Sequence, residues 1–355
     1  MKNCKPIFAA LMSLVVLTAC STPQDISSSE QTISDPFATT APVTEELSPK
    51  DKAKEYVDTI SRTSLAPVVT IDGSKDFIFD YNGGNIDITF NADYTNKSRP
   101  KPELMTLGVS VTLNGIYQNI SVNGSENTQM YTQEYPLTEN GEYPKPTMNI
   151  SFDPVIAEQD KNEDGLALMV IVTYNPHFRV NPDYPSAGGA HTTISITSYI
   201  CNVKTPILNY SDTKIETGFE KILITDAVVN KYSNIHSKMG FAQNRATLFD
   251  RRMINAISLT DEGKAEVGVL LTAEISGIYR VYFLVNGKPA KLESGADCVE
   301  VDAEVGYLYY LDCVEIADAK AYDTIKPYAI KSASEFDELE RSDAEFPFVI
   351  MPHEE

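Results

Sequence analysis

The acidic segment DKNEDG is the part of this sequence whose residue types and spacing come nearest to a known chemistry, the binding of calcium. Asp160, Asn162 and Asp164 stand at alternate positions and a glycine follows them, as in the first half of an EF-hand loop. Such a loop also needs a Glu at its twelfth position, and Ile171 stands there inside an apolar run. We therefore predict a solvated loop between strands, with adventitious calcium binding as the alternative, and we assign no metal ligand and no cofactor.

The segment of residues 175–191 is the second candidate, because it is long and mixes aromatic, basic and small residues. Long loops on rigid β-scaffolds often carry binding residues. We predict that His177, Phe178 and Tyr184 are at least partly exposed beside a pocket or groove of the first domain and form a ligand site there. The alternative is a loop that only packs over the edge of the fold. The spacing between His177 and His191 is not that of a zinc site.

Motifs for catalysis are absent from the sequence. It contains no G-x-S-x-G, no H-E-x-x-H and no phosphate-loop motif, and it has 4 His. We therefore predict no catalytic residue and a protein that is not an enzyme. A hydrolase that pairs Asp or Glu side chains from separate strands stays open as the alternative, because that pairing depends on tertiary contacts.

Tyr307, Tyr309 and Tyr310 form a cluster that could stack on sugar rings if it were exposed. Side chains alternate between the two faces of a strand, so Tyr307 and Tyr309 should share one face and Tyr310 should lie on the other. At least part of the cluster therefore belongs to the core. The absence of Trp weakens a carbohydrate-binding interpretation without excluding it.

Residues 1–19 have the composition of an export signal. They carry Lys2 and Lys5, no acidic residue, and an apolar run over 7–17 that is too short to cross a bilayer core of about 30 Å as a stable helix. The run ends in Leu-Thr-Ala-Cys, with the cysteine at position 20. This ending resembles the lipobox of bacterial lipoproteins. An ordinary secretory signal with an incidental Cys20, or an uncleaved anchor, is the alternative.

The lipobox resemblance implies that the chain is cut just before Cys20 and that the thiol receives diacylglycerol, with a further acyl chain on the new amino terminus. Two or three acyl chains hold a protein stably on a membrane without a transmembrane helix. No later segment approaches eighteen consecutive apolar residues. We therefore expect a protein anchored by lipid to the extracytoplasmic face of the cell membrane.

The composition restricts the partners. The chain has 50 acidic and 29 basic residues and a formal net charge of −21, and no basic stripe compensates for it. Because nucleic acids are bound by neutralising phosphates, we predict no nucleic-acid partner. The expected partners are the membrane, through the N-terminal lipid, and a glycan or a protein at the cell surface.

The segment after the signal changes character twice. Residues 20–47 are rich in Ser, Thr, Pro and Glu with few large apolar side chains, which predicts a disordered tether. At Ser48 and Pro49 a capping pattern begins, and apolar residues then recur at helical spacing, so we predict a short helix over 48–63.

The rest of the chain is dominated by a period of two, which is typical of half-buried strands. Two runs show it most clearly: Ile86, Ile88, Phe90, Ala92 and Tyr94, and Val267, Val269, Leu271, Ala273 and Ile275. In both halves of the chain the next strand ends in Asn-Gly, at 114–115 and at 286–287, which is a strong hairpin signal. Either an internal duplication or the commonness of alternation in β-proteins could explain the repeat.

We predict an all-β fold: two antiparallel β-sandwich domains over 64–205 and 206–331, followed by an acidic helix and tail over 332–355. The layout resembles the immunoglobulin-like modules of bacterial cell-surface lipoproteins. The chain contains no Trp, so the Cys, Trp, Cys core signature of true immunoglobulin domains is absent, and the resemblance implies architecture only.

Details near the C-terminus complete the prediction. Cys298 and Cys313 flank a predicted hairpin and could form a strained disulfide, with buried free thiols as the alternative. A short helix is predicted over 335–341 with Ser334 as its cap, and the apolar stretch 346–351 is either a last strand or a docked segment.

Taken together, these features favour a non-catalytic surface lipoprotein with a structural or recognition role at the cell envelope. Capture of a polysaccharide or a peptide is the alternative among binding proteins. An envelope hydrolase with an Asp/Glu pair is the alternative among enzymes.

Overall fold

The computed structural model describes residues 63–96, 103–177, 179–180, 182, 194–225, 239–242, 256–339, 341–343 and 348–353. All of them belong to one compact unit that begins at Leu47. The export signal, Cys20, the tether and the helix predicted over 48–63 lie outside the described residues, except that Thr63 belongs to the first strand. In the part of the chain that the structure describes, no helix is long and apolar enough to cross a membrane.

The described elements are almost entirely strands. Their bounds are β1 (Thr63–Ile71), β2 (Ile78–Tyr81), β3 (Ile86–Asn96), β4 (Leu104–Leu113), β5 (Ile116–Tyr117), β6 (Ser121–Val122), β7 (Tyr131–Pro136), β8 (Thr147–Phe152), β9 (Gly165–Tyr174), β10 (Ile194–Val203), β11 (Ile215–Thr217), β12 (Glu220–Leu223), β13 (Met239–Ala242), β14 (Ala256–Ser258), β15 (Ala265–Thr272), β16 (Gly277–Val285), β17 (Lys288–Ala290), β18 (Cys298–Ala303), β19 (Tyr307–Ile316), β20 (Thr324–Lys331), β21 (Arg341–Asp343) and β22 (Phe348–Met351). Short 3₁₀ turns occur at Glu158–Asp160 and Phe336–Glu338.

The first sandwich consists of two sheets. One has the strand order β1-β3-β8-β6, and the other has the order β2-β10-β9-β4-β5, with β7 also paired to β4. The side chains that share the space between the sheets include Ile86, Ile88, Phe90, Ala92, Val109, Val111, Leu168, Val170 and Cys201. The alternation predicted for β3 is therefore confirmed from Ile86 to Ala92, whereas the side chain of Tyr94 lies outside the described part of the structure. Each large apolar side chain buried in this way stabilises the fold by about 1.5–3 kcal/mol.

The second sandwich repeats this arrangement. Its larger sheet has the order β11-β18-β16-β20-β22-β14, with β17 on β16 and β21 on β20, and its smaller sheet has the order β12-β19-β15-β13. Val267, Val269 and Leu271 of β15 point into its core, as predicted, although the strand ends at Thr272. The prediction of an all-β protein with two β-sandwiches is confirmed.

The two sandwiches share the topology of nine strands, whereas β11 and β21 have no counterpart in the first sandwich, and the edge strands β6 and β12 differ in chain order. The corresponding strands are β1 and β13, β2 and β14, β3 and β15, β4 and β16, β5 and β17, β7 and β18, β8 and β19, β9 and β20, and β10 and β22. Corresponding pairs also share their direction, including the parallel pairs β2–β10 and β14–β22. The sheets are thus mixed rather than purely antiparallel. The shared pairing of nine strands supports the internal duplication that the repeated pattern suggested.

Both Asn-Gly turns form as predicted. Asn114 and Gly115 have φ values of 43° and 85°, and Asn286 and Gly287 have 50° and 78°. Both central residues of each hairpin loop therefore adopt the left-handed conformation that Asn and Gly tolerate best.

The C-terminal segment 332–355 was wrongly predicted as a helix and tail. The predicted helix is a single 3₁₀ turn, and the Ser334 backbone and hydroxyl contact the Glu338 carboxylate instead of capping a helix. The apolar stretch supplies β22, which pairs with β20 and β14 inside the larger sheet. Burial of the Val349 and Ile350 side chains favours this strand over an exposed tail, because β22 extends the sheet beyond β20.

Two further expectations about the second sandwich need correction. Ile207 lies in the core of the first sandwich and Tyr210 bridges to Ile156, so the boundary falls after 206. Cys298 begins β18 in the larger sheet while Cys313 belongs to β19 in the smaller one, so the two residues do not flank a hairpin. Cys298 is a free, buried thiol, and burial raises its pKa to about 12.

The larger sheets of the two sandwiches face each other through their outer surfaces. Met169 and Ile171 of β9 pack with Tyr282 of β16 and with Tyr328 and Ile330 of β20 in one buried cluster. The Tyr282 and Tyr328 rings stack with centroids 5.6 Å apart. Because β9 is apolar on both faces, it contributes to the first core and to this interface at once.

Arg280 lies fully buried in the same interface, although it belongs to β16 of the second sandwich. Its guanidinium Nη1 contacts Asp160 Oδ2 at 3.0 Å and also donates to the Asn114 carbonyl, while Nε contacts Glu300 Oε2 at 3.0 Å. Burial alone would lower the pKa of Arg280, but the Asp160 carboxylate raises it above its ordinary value. The guanidinium thus joins the second sandwich to a loop and a turn of the first.

We predict that Arg280→Met lowers the free energy of unfolding by about 3–5 kcal/mol, because Asp160 then stays buried without its cation. Urea unfolding followed by circular dichroism measures this, since the chain has no Trp for fluorescence. Lys145→Met is the control, because its ion pair with Asp93 is exposed and should contribute less than about 1 kcal/mol. Equal losses in the two variants would show that Arg280 does not hold the interface.

Candidate functional site

The structure describes one of the three residues predicted to form a ligand site. His177 is exposed, whereas Phe178 and Tyr184 lie outside the described residues. His177 lies three residues after the end of β9, and it lines a groove of about 270 Å³ where the first sandwich meets the start of β17. The role of the loop in binding stays a prediction.

The backbone at His177 has an unusual conformation. Its φ is +79°, which is uncommon for a residue with a side chain, and its N–H donates to the Asn286 carbonyl at 2.7 Å. Such backbone persists only where the surrounding structure fixes it, and it is often found at binding sites. The contact with Asn286 holds the start of the loop against the second sandwich.

Asp323 is the residue that fixes this part of the loop. Its buried carboxylate accepts bonds from Arg179 Nε at 2.7 Å and from Asn286 Nδ2 at 2.9 Å. The Val180 N–H also donates to the Tyr322 carbonyl at 3.0 Å. The ion pair of Arg179 and the two backbone hydrogen bonds of His177 and Val180 therefore attach this part of the loop to the second sandwich, where Asn286 also holds the Asp323 carboxylate.

The groove is lined by polar and apolar side chains from both sandwiches. Its lining residues are Thr128, Gln129, Met130, Thr132, His177, Lys288 and Pro289. In the described part of the chain, Lys288 forms no ion pair, and the side chains of Gln129, Thr132 and His177 form no hydrogen bond. These four groups can therefore all turn their hydrogen-bonding atoms to a ligand.

The electrostatic environment keeps the His177 ring neutral near pH 7. Burial lowers its pKa below the ordinary value of 6.5, and the neighbouring Lys288 ammonium lowers it further. Lys288 is then the positive charge of the groove, and the neutral imidazole provides one N–H donor and one acceptor.

The DKNEDG segment has a different role from the one predicted. Asp160 is buried and bound to Arg280, whereas Asn162 and Asp164 are exposed. The prediction of a fully solvated loop was wrong for Asp160, because its cationic partner comes from a strand 120 residues further along the chain.

The tyrosine cluster divides between two faces as predicted. Tyr309 lies in the core of the second sandwich, with Tyr307 packed against it, and Tyr310 belongs to a separate cluster on the opposite face with Leu270 and Leu308. Tyr309 and Tyr310 are both buried, so these two rings do not form an exposed stacking platform.

Two other grooves occur among the described residues. An open acidic groove of about 650 Å³ contains Glu266 and Glu315, and at its rim His353 contacts Asp261 at 3.2 Å. Its charge is partly neutralised by Lys264, which contacts Glu315 at 2.6 Å. A mixed groove of about 360 Å³ is lined by the rings of Phe77 and Phe336, which stack on each other, and by Met169, Ile196 and Leu339.

Sequence reasoning missed Lys288 and Asp323. Lys288 directly follows the second Asn-Gly turn, and a comparison of the two turns would have drawn attention to it, because an isoleucine follows the first one. Asp323 precedes β20 in a stretch with no motif, and no sequence signal could have assigned Arg179 and Asn286 as its partners.

No protein-family model matches this chain, and no curated protein matches it. Solved structures match it weakly. The CsuC–CsuE chaperone–tip adhesion subunit complex of Acinetobacter baumannii pili is 10% identical, with a TM-score of 0.21 over 81% of this chain and 100% of the matched chain. The YadV chaperone is 8% identical, with a TM-score of 0.21 over 78% of this chain and 98% of its own.

An enzyme is also among the matched structures. The β-glucuronidase of Parabacteroides merdae is 10% identical, with a TM-score of 0.15, and the match covers 79% of this chain but 24% of the enzyme. At such identities and TM-scores, none of these likenesses carries an argument about what this chain does.

We predict that the pKa of His177 lies below 6.5 and rises toward that value in Lys288→Met, because the ammonium no longer disfavours the protonated ring. Burial, the larger cause, should keep it below the ordinary value. An NMR titration of the imidazole C2 proton measures this, with the signal assigned by its loss in His177→Gln. Lys75→Met, which removes an exposed lysine that does not line the groove, should leave the titration unchanged.

The same shift predicts a pH dependence of stability. Because the folded-state pKa is lower than the unfolded one, the unfolded chain binds a proton more readily between the two values. The contribution of His177 to stability is therefore constant above about pH 6.5, and it is lost as the pH falls from that value to below the folded-state pKa of His177. A His177 pKa at or above 6.5 would contradict the described environment.

Proposed function

We propose that this chain is a non-catalytic lipoprotein, anchored by lipid on Cys20 to the extracytoplasmic face of a bacterial cell membrane, where it recognises a ligand at the cell envelope. The observation that carries the recognition role is the groove beside His177. There, several unpaired polar side chains surround an open space on a rigid support.

The buried acids support a role without catalysis. Asp160 and Asp323 are the buried carboxylates of the described residues, and each is bound to an arginine, Arg280 and Arg179 respectively. A hydrolytic pair needs one acid that can give up a proton and one base that can accept it. Both buried carboxylates instead serve as ion-pair partners between the two sandwiches.

The rigid support favours recognition over a purely mechanical role. The groove takes its residues from both sandwiches, and the strained backbone at His177 is fixed by contacts from the second one. A protein that served only as a spacer would have no need to keep this groove open or its polar groups unpaired. Pre-organised polar groups reduce the entropy that a ligand must lose on binding.

The lipobox-like sequence at residues 17–20 supports the anchor, and the composition of residues 20–47 supports a tether that separates the folded part from the membrane surface. The proposed partners are therefore the membrane, through the lipid, and an envelope glycan or protein, through the groove.

Metabolic labelling with radioactive palmitate tests the anchor. The wild-type chain should incorporate label and fractionate with membranes, and Cys20→Ala should lose both properties, because no other acceptor thiol follows the signal directly. Cys201→Ala is the matched control, since this thiol is buried in the first core. Undiminished labelling of Cys20→Ala would exclude the proposed anchor.

A glycan array that also displays envelope peptides tests the recognition role. The full chain carrying Cys20→Ala, which is free of lipid, should bind at least one class of ligand. Binding should weaken when His177→Ala is added and should persist when Lys75→Met is added instead. Absence of binding to every ligand class would leave only a structural role.

A further inference from the structure

The interface between the sandwiches has two ends that correspond to each other under the internal repeat. Arg280 stands six residues before Asn286, and Gly108 stands six residues before Asn114, so they occupy the same position in the two repeats. The strand register agrees with this correspondence. Arg280 of β16 is opposite Ile330 of β20, and Gly108 of β4 is opposite Thr173 of β9, at the same distance from the Asn-Gly turn in both repeats.

The end that contains Arg280 is filled. The guanidinium reaches the Asn114 carbonyl, and Gly115 lies so close to the Arg280 side chain that an added Cβ would stand 3.3 Å from it. Glu300, which is opposite Arg280 in the register, contacts its Nε. Ile116, the first residue after the turn, is fully buried there.

The other end has lost both charges of that pair and holds the groove. Gly108 stands at the position of Arg280, and Met130 and Pro176 fill the space that a side chain would need there. Thr132, which is opposite Gly108 in the register, replaces Glu300. Lys288 replaces Ile116 as the first residue after the Asn-Gly turn. The two ends therefore differ in charge: the end with Arg280 is charge-paired, whereas the other end has a groove in which Lys288 forms no ion pair with any described residue.

We propose that this groove binds the carboxylate of an acidic sugar, with Lys288 as the charge partner and His177, Gln129 and Thr132 as hydrogen-bonding groups for the carboxylate and the neighbouring hydroxyls. The inference rests on the recognition role proposed above and names the ligand class of the same site. The acidic group of the ligand provides the negative charge that Glu300 provides at the corresponding end.

The lining of the groove favours a sugar over a peptide. Its polar groups are side-chain amide, hydroxyl and imidazole groups, which match the alternating donors and acceptors of a polyhydroxylated ring. Peptide carboxylates are usually bound by successive backbone N–H groups, and extended peptides by a strand edge. The volume of about 270 Å³ is slightly smaller than typical ligand pockets, which begin at about 300 Å³, so the groove suits one ring better than a chain.

Saturation-transfer NMR on the full-length lipidated protein in detergent micelles tests the proposal with D-glucuronate and D-glucose as probes. D-Glucuronate should bind with an affinity at least about tenfold higher than D-glucose, because only the acid can pair with Lys288. Lys288→Met should reduce glucuronate affinity by about tenfold or more, and Gln129→Ala should reduce it less. Lys75→Met should leave it unchanged, and circular dichroism verifies that each variant is folded.

Three results would overturn the proposal: equal affinity for the two sugars, glucuronate binding that is insensitive to Lys288→Met, or no glucuronate binding at all. A further probe pair, acetyl-alanyl-alanine as free acid and as amide, identifies a peptide carboxylate as the ligand instead. In that case the sugar proposal fails and the recognition role stands. The array described above decides whether the recognition role fails as well.

Discussion

The buried guanidinium of Arg280 is the constraint on which the arrangement of this molecule depends. It contacts Asp160 and the Asn114 carbonyl from the first sandwich and Glu300 from its own. Removing such a charge from water costs several kcal/mol, and the cost is offset only while every partner is in place. A sliding or rotated arrangement of the two larger sheets would leave one of these charges unpaired. The apolar cluster around Tyr282 and Tyr328 stabilises the interface, but hydrophobic burial is not directional. The ion pairs of Arg280, in contrast, are satisfied in only one position of the two sandwiches relative to each other.

In this arrangement the two sandwiches contact each other through an approximately two-fold symmetric interface within a single chain. The segment after β9 donates from His177 to the Asn286 carbonyl, and the segment after β20 donates from Ala333 to Asn114 Oδ1 at 3.4 Å. Each repeat therefore offers its Asn-Gly turn to the strand end of the other, as the subunits of a symmetric dimer do in an isologous interface. The two turns are also held in the same way within each repeat. Asn114 Oδ1 accepts a hydrogen bond from a backbone N–H near the start of β9, and Asn286 Oδ1 accepts one from a backbone N–H at the start of β20.

The features that the sequence predicted well are those that depend on local pattern. Alternation along β3 and β15 identifies the side chains that fill each core, and the Asn-Gly pairs identify two hairpins, because both signals follow from the geometry of a few consecutive residues. His177 could be chosen as a candidate because loop length and composition are local properties as well. These features defined the fold class and one residue of the groove.

The features that could not be predicted depend on contacts between distant residues. Asp160 belongs to a polar segment that is typical of a solvated loop, and only the packing of the two sandwiches buries it against Arg280. The apolar stretch 346–351 could not be identified as an inner strand for the same reason. Its partners β14 and β20 are distant in sequence and lie on either side of β22 only in the folded sheet. Six apolar residues have no period that distinguishes a strand from a docked segment.

The two-fold relation also explains how an interface can become a binding site. In a symmetric dimer a substitution changes both ends of the contact, so a groove opened at one end is opened at the other as well. After duplication within one chain, the two ends can differ: Arg280 and Glu300 form a charge pair at one end, while the other end has Gly108 and Thr132 in their places and holds the groove beside Lys288. The charge-paired end then bears the stability of the interface, and the end with the groove is free to accept a ligand. Because the open groove contains residues of both repeats, any ligand that occupies it also stabilises their association, by a free energy that grows with the logarithm of its concentration relative to its dissociation constant.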